Sequence, residues 1–229
     1  MDVLTIQGIW RSLIRFGFRL LYYELAWTYD LVSWVVSLGE WRNWQRAALP
    51  FVTGERVLEI GHGPGHMLLD LAAAVPHVAG LDLSPYMGRQ ARKRLKKAGL
   101  PVVLTRGRVQ ELPWATAVFD TVLATFPTDY IIEPETIASV YRVLKADGRF
   151  LIVPEGHLTG RGALYRFIDW LFRITGQRDG AFMVDEEGFW PDTAVWEPFC
   201  QQYAAAGFAV EVRQIKLERS VVTVIIAQK

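Results

Sequence analysis

The sequence predicts an α/β protein built on a Rossmann-like sheet of seven mostly parallel strands, with helices on both faces and a terminal antiparallel β-hairpin. Three observations predict this fold. Predicted strands and helices alternate along residues 57–154, which is typical of repeated strand–helix–strand units. A glycine-rich turn, Gly61 to Gly65, joins the first strand to a helix. Two consecutive strands at the C-terminus are joined by a short turn, so they must pair antiparallel.

Apolar runs and capping residues predict the individual elements. The predicted strands are residues 57–60, 78–82, 101–105, 119–125, 149–154, 209–216 and 220–227. The predicted helices are residues 67–75, 86–98, 134–144, 164–174 and 196–206. Ser84 and Pro85 have the pattern of an N-cap followed by proline at the first helical position, and Gly99 ends that helix.

Length and composition bound the domain organisation. A chain of 229 residues is expected to form one domain with a substantial core. Residues 1–50 are predicted to form a helical N-terminal cap of that domain, and residues 51–229 to carry the sheet, with a lid insertion at 155–196. The single cysteine, Cys200, excludes an internal disulfide and a cysteine-based zinc cluster, which fits a reduced cytoplasmic setting.

Charge and hydropathy argue against other classes of protein. The formal net charge is +1, so no overall field attracts nucleic acid, and we expect no nucleic-acid partner. The N-terminus has neither the basic start nor the small-residue cleavage site of a secretory signal. No apolar stretch reaches about 18 residues free of charge, so no transmembrane helix is predicted.

The first helical segment allows two interpretations. Arg11, Arg15 and Arg19 are four residues apart within residues 6–25, so they lie on one face of a helix that is otherwise mostly apolar. Such a helix suits a membrane interface or an apolar substrate. It also suits packing on the domain or on a second subunit, with the arginines in solvent, which is the commoner role of amphipathic helices in globular proteins. The first interpretation implies peripheral membrane contact. The second is compatible with either a monomer or a homodimer. Residues 26–49 are predicted to continue as helix.

The glycine-rich turn predicts the ligand-binding edge of the sheet. Gly61, Gly63 and Gly65 let the backbone turn sharply and approach a ligand closely, and the next helix directs its N-terminal N–H groups there. A dinucleotide fingerprint would have a third glycine where this chain has His66. The second strand ends in Asp82, 21 positions after Gly61, where an acid would meet the hydroxyl pair of a ribose.

Glu59 helps to distinguish between the two candidate ligands, S-adenosylmethionine and NAD. This acid lies at the end of the first strand, just before the glycines, and suits a ligand with a cationic group. S-adenosylmethionine carries an ammonium and a sulfonium, whereas NAD has no comparable pair beside its phosphates. The sequence therefore favours S-adenosylmethionine. A nicotinamide cofactor and a fold that has lost its ligand are the alternatives.

With these motifs in this order, the chain resembles the class I S-adenosylmethionine-dependent methyltransferases. The resemblance runs from about residue 29 to the C-terminus and rests on residues 59–65, 80–87, 107–113, 119–122 and 144–149. The pair Tyr29-Asp30, followed by Arg42 and Trp44, is similar to a segment of the quinone C-methyltransferase and phospholipid N-methyltransferase-like subgroups.

The resemblance implies which residues bind the cofactor, S-adenosyl-L-methionine, whose product is S-adenosyl-L-homocysteine. They are Glu59, Gly61, His62, Gly63, Gly65, Asp82, Leu83, Met87, Gly107, Arg108, Val109 and Thr125. The family usually has an aspartate at position 108 that accepts a hydrogen bond from the adenine amino group. Arginine has donors only, so either a backbone carbonyl or Gln110 replaces that acceptor, or Arg108 stacks on the purine.

The turn after the fourth strand, from Thr125 to Tyr130, is predicted to lie beside the reactive methyl. It lacks the Asn/Asp-Pro-Pro-Tyr/Phe motif of many N-methyltransferases. Methyl transfer is an in-line displacement that depends mainly on positioning, so the catalytic residue stays unknown. The candidates are Tyr29, His66 and Asp129, with capping of the next helix as the alternative role of Asp129. No cluster of His, Cys, Asp and Glu has metal-ligand spacing, so we predict no metal.

The resemblance implies a methyltransferase that acts on a small molecule. Residues 155–192 are rich in aromatic side chains, and an insertion at this point commonly covers the acceptor pocket in the family. That favours a hydrophobic or aromatic acceptor, either quinone-like or a lipid head group. A catalytically inactive, methyltransferase-like binding module is the alternative. The expected location is cytoplasmic, and contact with the inner membrane face follows only from the interpretation in which residues 6–25 lie on a membrane.

Overall fold

We describe the protein from a computed structural model that covers residues 33–35, 37–159, 182–185, 188–191 and 193–229. The predictions for residues 6–25, for Tyr29 and for a helix at 164–174 lie outside these residues.

The described elements alternate in the predicted order. The helices are α1 (Trp41–Arg46), α2 (His66–Ala74), α3 (Pro85–Ala98), α4 (Pro134–Val143) and α5 (Glu197–Ala205). The strands are β1 (Arg56–Ile60), β2 (His77–Asp82), β3 (Val103–Arg106), β4 (Phe119–Thr125), β5 (Leu144–Leu158), β6 (Phe182–Asp185), β7 (Gly188–Pro191), β8 (Ala209–Lys216) and β9 (Ser220–Gln228). As predicted, Ser84 caps α3 by accepting a hydrogen bond from the Met87 N–H at 3.3 Å, and Gly99 ends that helix with φ 68°.

Seven of the strands form one sheet in the order β3-β2-β1-β4-β5-β9-β8. The pairs among β1 to β5 are parallel, and β9 is antiparallel to both β5 and β8. The Rossmann-like sheet and its terminal antiparallel hairpin are therefore confirmed. Because neighbouring parallel strands end together, the carboxyl ends of β2, β1, β4 and the parallel part of β5 lie side by side on one edge, where ligands bind in such sheets.

Helices cover both faces of this sheet. On one face, α1, α2 and α3 pack around a core that includes Trp44, Leu68 and Leu95. On the other face, α4 and α5 pack around a core that includes Val140 and Tyr203. The central strands β1 and β4 are buried over nearly their whole length, as expected for a parallel sheet covered on both sides.

Three segments differ from the predicted elements. The helix predicted over 26–49 is interrupted, because Leu38 and Gly39 have positive φ angles of 50° and 86° just before α1. β5 begins at Leu144 instead of residue 149, and it continues past Pro154 because it pairs with β9 on both sides of a bulge. Within the predicted lid insertion, for which no strand is predicted, β6 and β7 form an antiparallel hairpin. The last two differences depend on strand pairing, which a local sequence pattern does not identify.

Gly65 and Gly88 provide a matched test of the packing between α2 and α3. Gly65 has φ 82°, and a Cβ atom there would lie 2.7 Å from the Ala91 Cβ on α3. Gly65→Ala is therefore expected to lower the free energy of unfolding by about 2–4 kcal/mol, from left-handed strain and overpacking. Gly88 lies inside α3, and a Cβ atom added there would have no atom within 4 Å, so Gly88→Ala should stabilise by about 0.5–1 kcal/mol.

Urea unfolding monitored by circular dichroism measures both changes. Equal effects of the two substitutions would contradict the close approach of the loop to α3.

Candidate functional site

The glycine-rich loop forms the centre of the carboxyl edge. Gly61, Gly63 and Gly65 have φ angles of 64°, 52° and 82°, a region in which residues with a side chain are strained. The Gly61 N–H donates to the Leu81 carbonyl at 2.7 Å, and Arg94 on α3 donates to the Pro64 carbonyl. The loop is thus held against β2 and α3, with the N-terminus of α2 directed toward the edge.

Asp82 lies directly beside this loop. Its Oδ2 accepts a hydrogen bond from the Gly63 N–H at 2.8 Å, and its Oδ1 accepts one from the Ser84 N–H at 2.7 Å. Burial raises the pKa of this carboxyl, while His62 nearby acts in the opposite direction. Each carboxylate oxygen has a further lone pair, so Asp82 can still accept hydrogen bonds from the hydroxyls of a ligand.

His62 is a buried part of the loop. The side chain is 4% exposed, and its Nδ1 lies 2.7 Å from the Gly63 carbonyl oxygen, so Nδ1 carries the proton and donates. Burial lowers the pKa of this imidazole. A Cβ atom on Gly80 would lie 2.9 Å from the His62 Cδ2, so the ring also packs on β2. These contacts support a structural role for His62 in the loop.

Glu59 is the most unusual group at this edge. It is 1% exposed, and neither carboxyl oxygen has a hydrogen-bond partner among the residues that the structure describes. Burial raises its pKa well above the usual value, and the negative charges of Asp82 and Asp70 add to the shift. Leaving such a group without a partner is unfavourable. A ligand with an ammonium group would supply the missing donors, so these residues fit S-adenosylmethionine.

The residues expected around adenine lie after β2, at the start of α3 and after β3. Leu83 is 52% exposed and Met87 is 1% exposed. Arg108 is exposed and has no ion pair with any described residue, so its guanidinium is available to stack. The Gln110 Nε2 donates to the Glu133 carboxylate, which leaves the amide oxygen of Gln110 as its acceptor. Both alternatives for adenine recognition therefore remain predictions.

A cavity of about 250 Å³ opens beside Asp82, between α3 and β3. Its lining includes His62, Thr105 and three arginines, Arg89, Arg92 and Arg106. Because Asp82 also lines it, this cavity adjoins the position expected for the ribose.

The end of β4 is covered by α1. The Gln45 Nε2 on α1 donates to the Thr125 Oγ1 at 3.0 Å, and the Trp41 ring stacks on Phe126 with a centroid separation of 4.0 Å. Phe126 has a left-handed φ of 51°, which turns the chain away from the sheet immediately after β4. The result is a polar and aromatic wall at the point where the methyl group is expected.

Asp70 on α2 holds α1 in this position. Arg42 and Arg46 on α1 both pair with it, at 3.1 Å and 2.8 Å. Burial tends to raise the pKa of Asp70, but the hydrogen bonds from Arg46 and Arg42 outweigh it and hold the pKa below the usual value.

The two described catalytic candidates, His66 and Asp129, lie in different elements of the structure. His66 is the first residue of α2, and Asp129 is an exposed residue in a short 3-10 turn, Asp129–Ile132. The capping role considered for Asp129 is wrong, because the N-cap of α4 is Glu133 and no side chain caps that helix. The proposal that either residue is catalytic stays a prediction.

Sequence reasoning placed the turn from Thr125 to Tyr130 near the reactive methyl but did not select Tyr130 as a site residue. Its hydroxyl oxygen lies 2.6 Å from the position that a Cβ atom on Gly61 would occupy. The only sequence signal was an aromatic residue in the turn after β4, and nothing local indicated that its ring reaches the glycine loop.

Sequence reasoning also missed a buried pair on the extension of β5. The His157 Nε2 lies 2.9 Å from the Glu155 Oε2, and the Glu155 Oε1 accepts hydrogen bonds from Trp196 at 3.1 Å and Thr223 at 3.3 Å. The pair lies beyond Pro154, where the predicted strand ended. It is therefore close to the carboxyl edge of the sheet.

Two other kinds of feature are absent from the described residues, a membrane-spanning helix and a metal-binding cluster. None of the helices in this part of the chain is both long enough and apolar enough to span a bilayer. Within the same residues, no three His, Cys, Asp or Glu side chains are grouped so that they could hold a metal ion.

Comparison with known proteins shows similarity to methyltransferases. A family model described as a methyltransferase domain matches residues 57–148. A demethylmenaquinone methyltransferase of Symbiobacterium thermophilum is 32% identical over 142 residues, which is 58% of this chain and 57% of that protein. The ubiquinone/menaquinone biosynthesis C-methyltransferase UbiE of Geotalea uraniireducens is 24% identical over 220 residues, 90% of this chain and 93% of that protein. The match thus spans little more than half the length of the first relative and nearly all of the second.

Solved structures agree on the fold. A SAM-dependent methyltransferase from Aquifex aeolicus superposes with a TM-score of 0.55 at 19% identity, covering 80% of this chain and 87% of that one. The phosphoethanolamine N-methyltransferase 2 of Haemonchus contortus superposes with a TM-score of 0.53 at 18% identity, covering 82% of this chain and 51% of that one. Residues 57–148 therefore match a methyltransferase domain, and in motif order, site geometry and fold the chain is similar to the class I S-adenosylmethionine-dependent methyltransferases.

Proposed function

We propose that this protein transfers the methyl group of S-adenosylmethionine to a hydrophobic hydroquinone, the reduced form of a quinone. The arrangement of the glycine loop, Asp82 and the unpartnered Glu59 carries the cofactor part of this proposal. The names of the two sequence relatives support a quinone-type acceptor. The reduced form is specified because a methyl group bound to a sulfonium is electrophilic and needs an electron-rich acceptor.

The residues of this chain position the reactants. Asp82 accepts hydrogen bonds from the sugar hydroxyls, and Glu59 pairs with the ammonium group. When bound, the cofactor supplies an electrophilic methyl group and leaves as a thioether. Trp41 and Phe126 line the edge from which the acceptor approaches, and their stacked rings exclude water and favour an aromatic molecule.

Methylation at a ring carbon releases one proton. The new carbon–carbon bond forms as the sulfur–carbon bond breaks, and the ring proton then leaves to restore the hydroquinone. At this edge, the described groups that can accept it include His66, Asp129 and the pair of Glu155 and His157. The inactive alternative rested on Arg108, and the comparisons add nothing in its favour.

The cytoplasmic location and the membrane contact through residues 6–25 stay predictions, as does the role of residues 155–196 as a lid. An isoprenoid quinone dissolves in a bilayer, so contact with a membrane surface would bring the enzyme to its acceptor.

The test uses the full chain, S-adenosylmethionine with a labelled methyl group, and a 1,4-naphthohydroquinone with a short isoprenyl chain, kept reduced without oxygen. We expect one labelled methyl group on the ring for each S-adenosylhomocysteine formed, and no transfer to the oxidised quinone. Cofactor binding without transfer to the hydroquinone would contradict the proposed acceptor. Absence of cofactor binding would contradict the proposed activity itself.

A further inference from the structure

Tyr130 lies directly above the first glycine of the loop. An added Cβ on Gly61 would be 2.6 Å from the Tyr130 hydroxyl oxygen and 3.6 Å from its Cζ. A Cβ atom added to Gly63 would have no atom within 4 Å. The first glycine is therefore covered by a phenol, while the second faces open space.

The core of the protein holds the segment that carries Tyr130. The 3-10 turn Asp129–Ile132 follows the left-handed Phe126. The buried Tyr203 hydroxyl on α5 donates to the Ile131 carbonyl oxygen at 2.7 Å, and the Ile131 side chain is itself buried. The position of the phenol is thus determined by two elements, β4 and α5, on either side of the turn.

The order of the strands indicates which end of the cofactor lies under the phenol. Asp82 ends β2, Gly61 follows β1, and Tyr130 comes after β4, which is the next strand along the edge. Neighbouring strands are about 4.8 Å apart, so β4 lies about 10 Å from β2. With the sugar at Asp82, a ligand that extends along this edge brings its sulfur toward Gly61 and Tyr130.

We propose that the Tyr130 hydroxyl oxygen contacts the sulfonium end of the bound methyl donor and aims the methyl group at the acceptor. This inference rests on the proposed function. A positive sulfur polarises the C–H bonds of its attached carbons, and a phenol oxygen can accept weak C–H···O contacts from them. S-adenosylhomocysteine has neither the positive charge nor the methyl group, so it gains much less from the same oxygen.

Calorimetric binding of both ligands to Tyr130→Phe tests this assignment. We expect the Kd for S-adenosylmethionine to rise roughly 3- to 10-fold, because a few weak contacts are lost. The Kd for S-adenosylhomocysteine should stay within about 2-fold, which also shows that the variant retains its site. Tyr141→Phe is the matched control, because its hydroxyl lies near Gly207 and its ring packs on Phe208, and neither Kd should change.

The outcomes separate this inference from the proposed function. Equal changes for the two ligands in Tyr130→Phe, or no change for either, would overturn the placement of Tyr130 at the sulfonium. Failure of the unaltered protein to bind either ligand would overturn both proposals. A selective loss of S-adenosylmethionine binding, without methylation of the hydroquinone, would support Tyr130 and contradict only the acceptor.

Discussion

Replacing Asp82 with asparagine is expected to weaken binding of S-adenosylmethionine and S-adenosylhomocysteine alike, by about 100- to 1000-fold. Asp82 combines two tasks, because its oxygens already accept hydrogen bonds from Gly63 and Ser84 and are expected to accept the ribose hydroxyls. Hydrogen bonds to a charged group contribute about 1.5–3 kcal/mol each, and two of them account for the predicted change. An asparagine also directs an NH₂ donor toward a backbone N–H.

The matched control is Asp147→Asn. Asp147 is exposed, and its φ of 60° is one that asparagine adopts readily, so this substitution should leave both affinities unchanged. Calorimetric titration measures all the affinities. An Asp82→Asn protein that binds within a few-fold of the unaltered chain would show that the sugar does not lie on Asp82.

Glu59→Gln is expected to weaken binding of S-adenosylmethionine by about 10- to 100-fold, because it removes a charged partner of the ammonium group. The same substitution changes how the ligand-free protein responds to pH. Burial raises the pKa of Glu59 in the folded state, so folding favours its protonated form. Stability contributed by this group is therefore present at pH values below its unfolded pKa and is lost as pH rises through its folded pKa.

Glutamine cannot ionise, so the Glu59→Gln protein should lose less stability than the unaltered protein between pH 5 and pH 8. Urea unfolding at the two pH values measures the difference. Glu111→Gln, at an exposed carboxyl, is the matched control and should match the unaltered chain. Identical pH dependence in all three proteins would contradict a buried, unpartnered Glu59.

Local signals in the sequence predicted much of the fold. The bounds of β4 are those expected, residues 119–125, because an apolar run is bounded there by polar and turn residues. The start of α3 follows from Ser84 and Pro85, and its end follows from Gly99. Asp82 lies beside Gly63, as the spacing in the sequence indicated.

Features that depend on contacts between distant residues could not be predicted in this way. The extension of β5 requires pairing with β9, and Glu155 is held by Trp196 and Thr223. The approach of Tyr130 to Gly61 depends on the turn at Phe126 and on the anchor from α5. A strand boundary drawn at Pro154 therefore left out the contact between Glu155 and His157 near this edge.

The boundary of the N-terminal cap at residue 50 stays a prediction. α1 supports a close connection between the cap and the sheet, because Arg42 and Arg46 pair with Asp70 and Gln45 bonds to Thr125. The assignment of residues 1–50 to the same domain is consistent with these contacts.

A crystal structure of the full chain with S-adenosylhomocysteine tests the central claim most directly. We predict both ribose hydroxyl oxygens about 2.6–3.2 Å from the Asp82 carboxylate, with the amino group beside Glu59 and the sulfur between Gly61 and Tyr130. A nucleoside bound away from Asp82, or an amino acid end directed away from Glu59, would contradict the account.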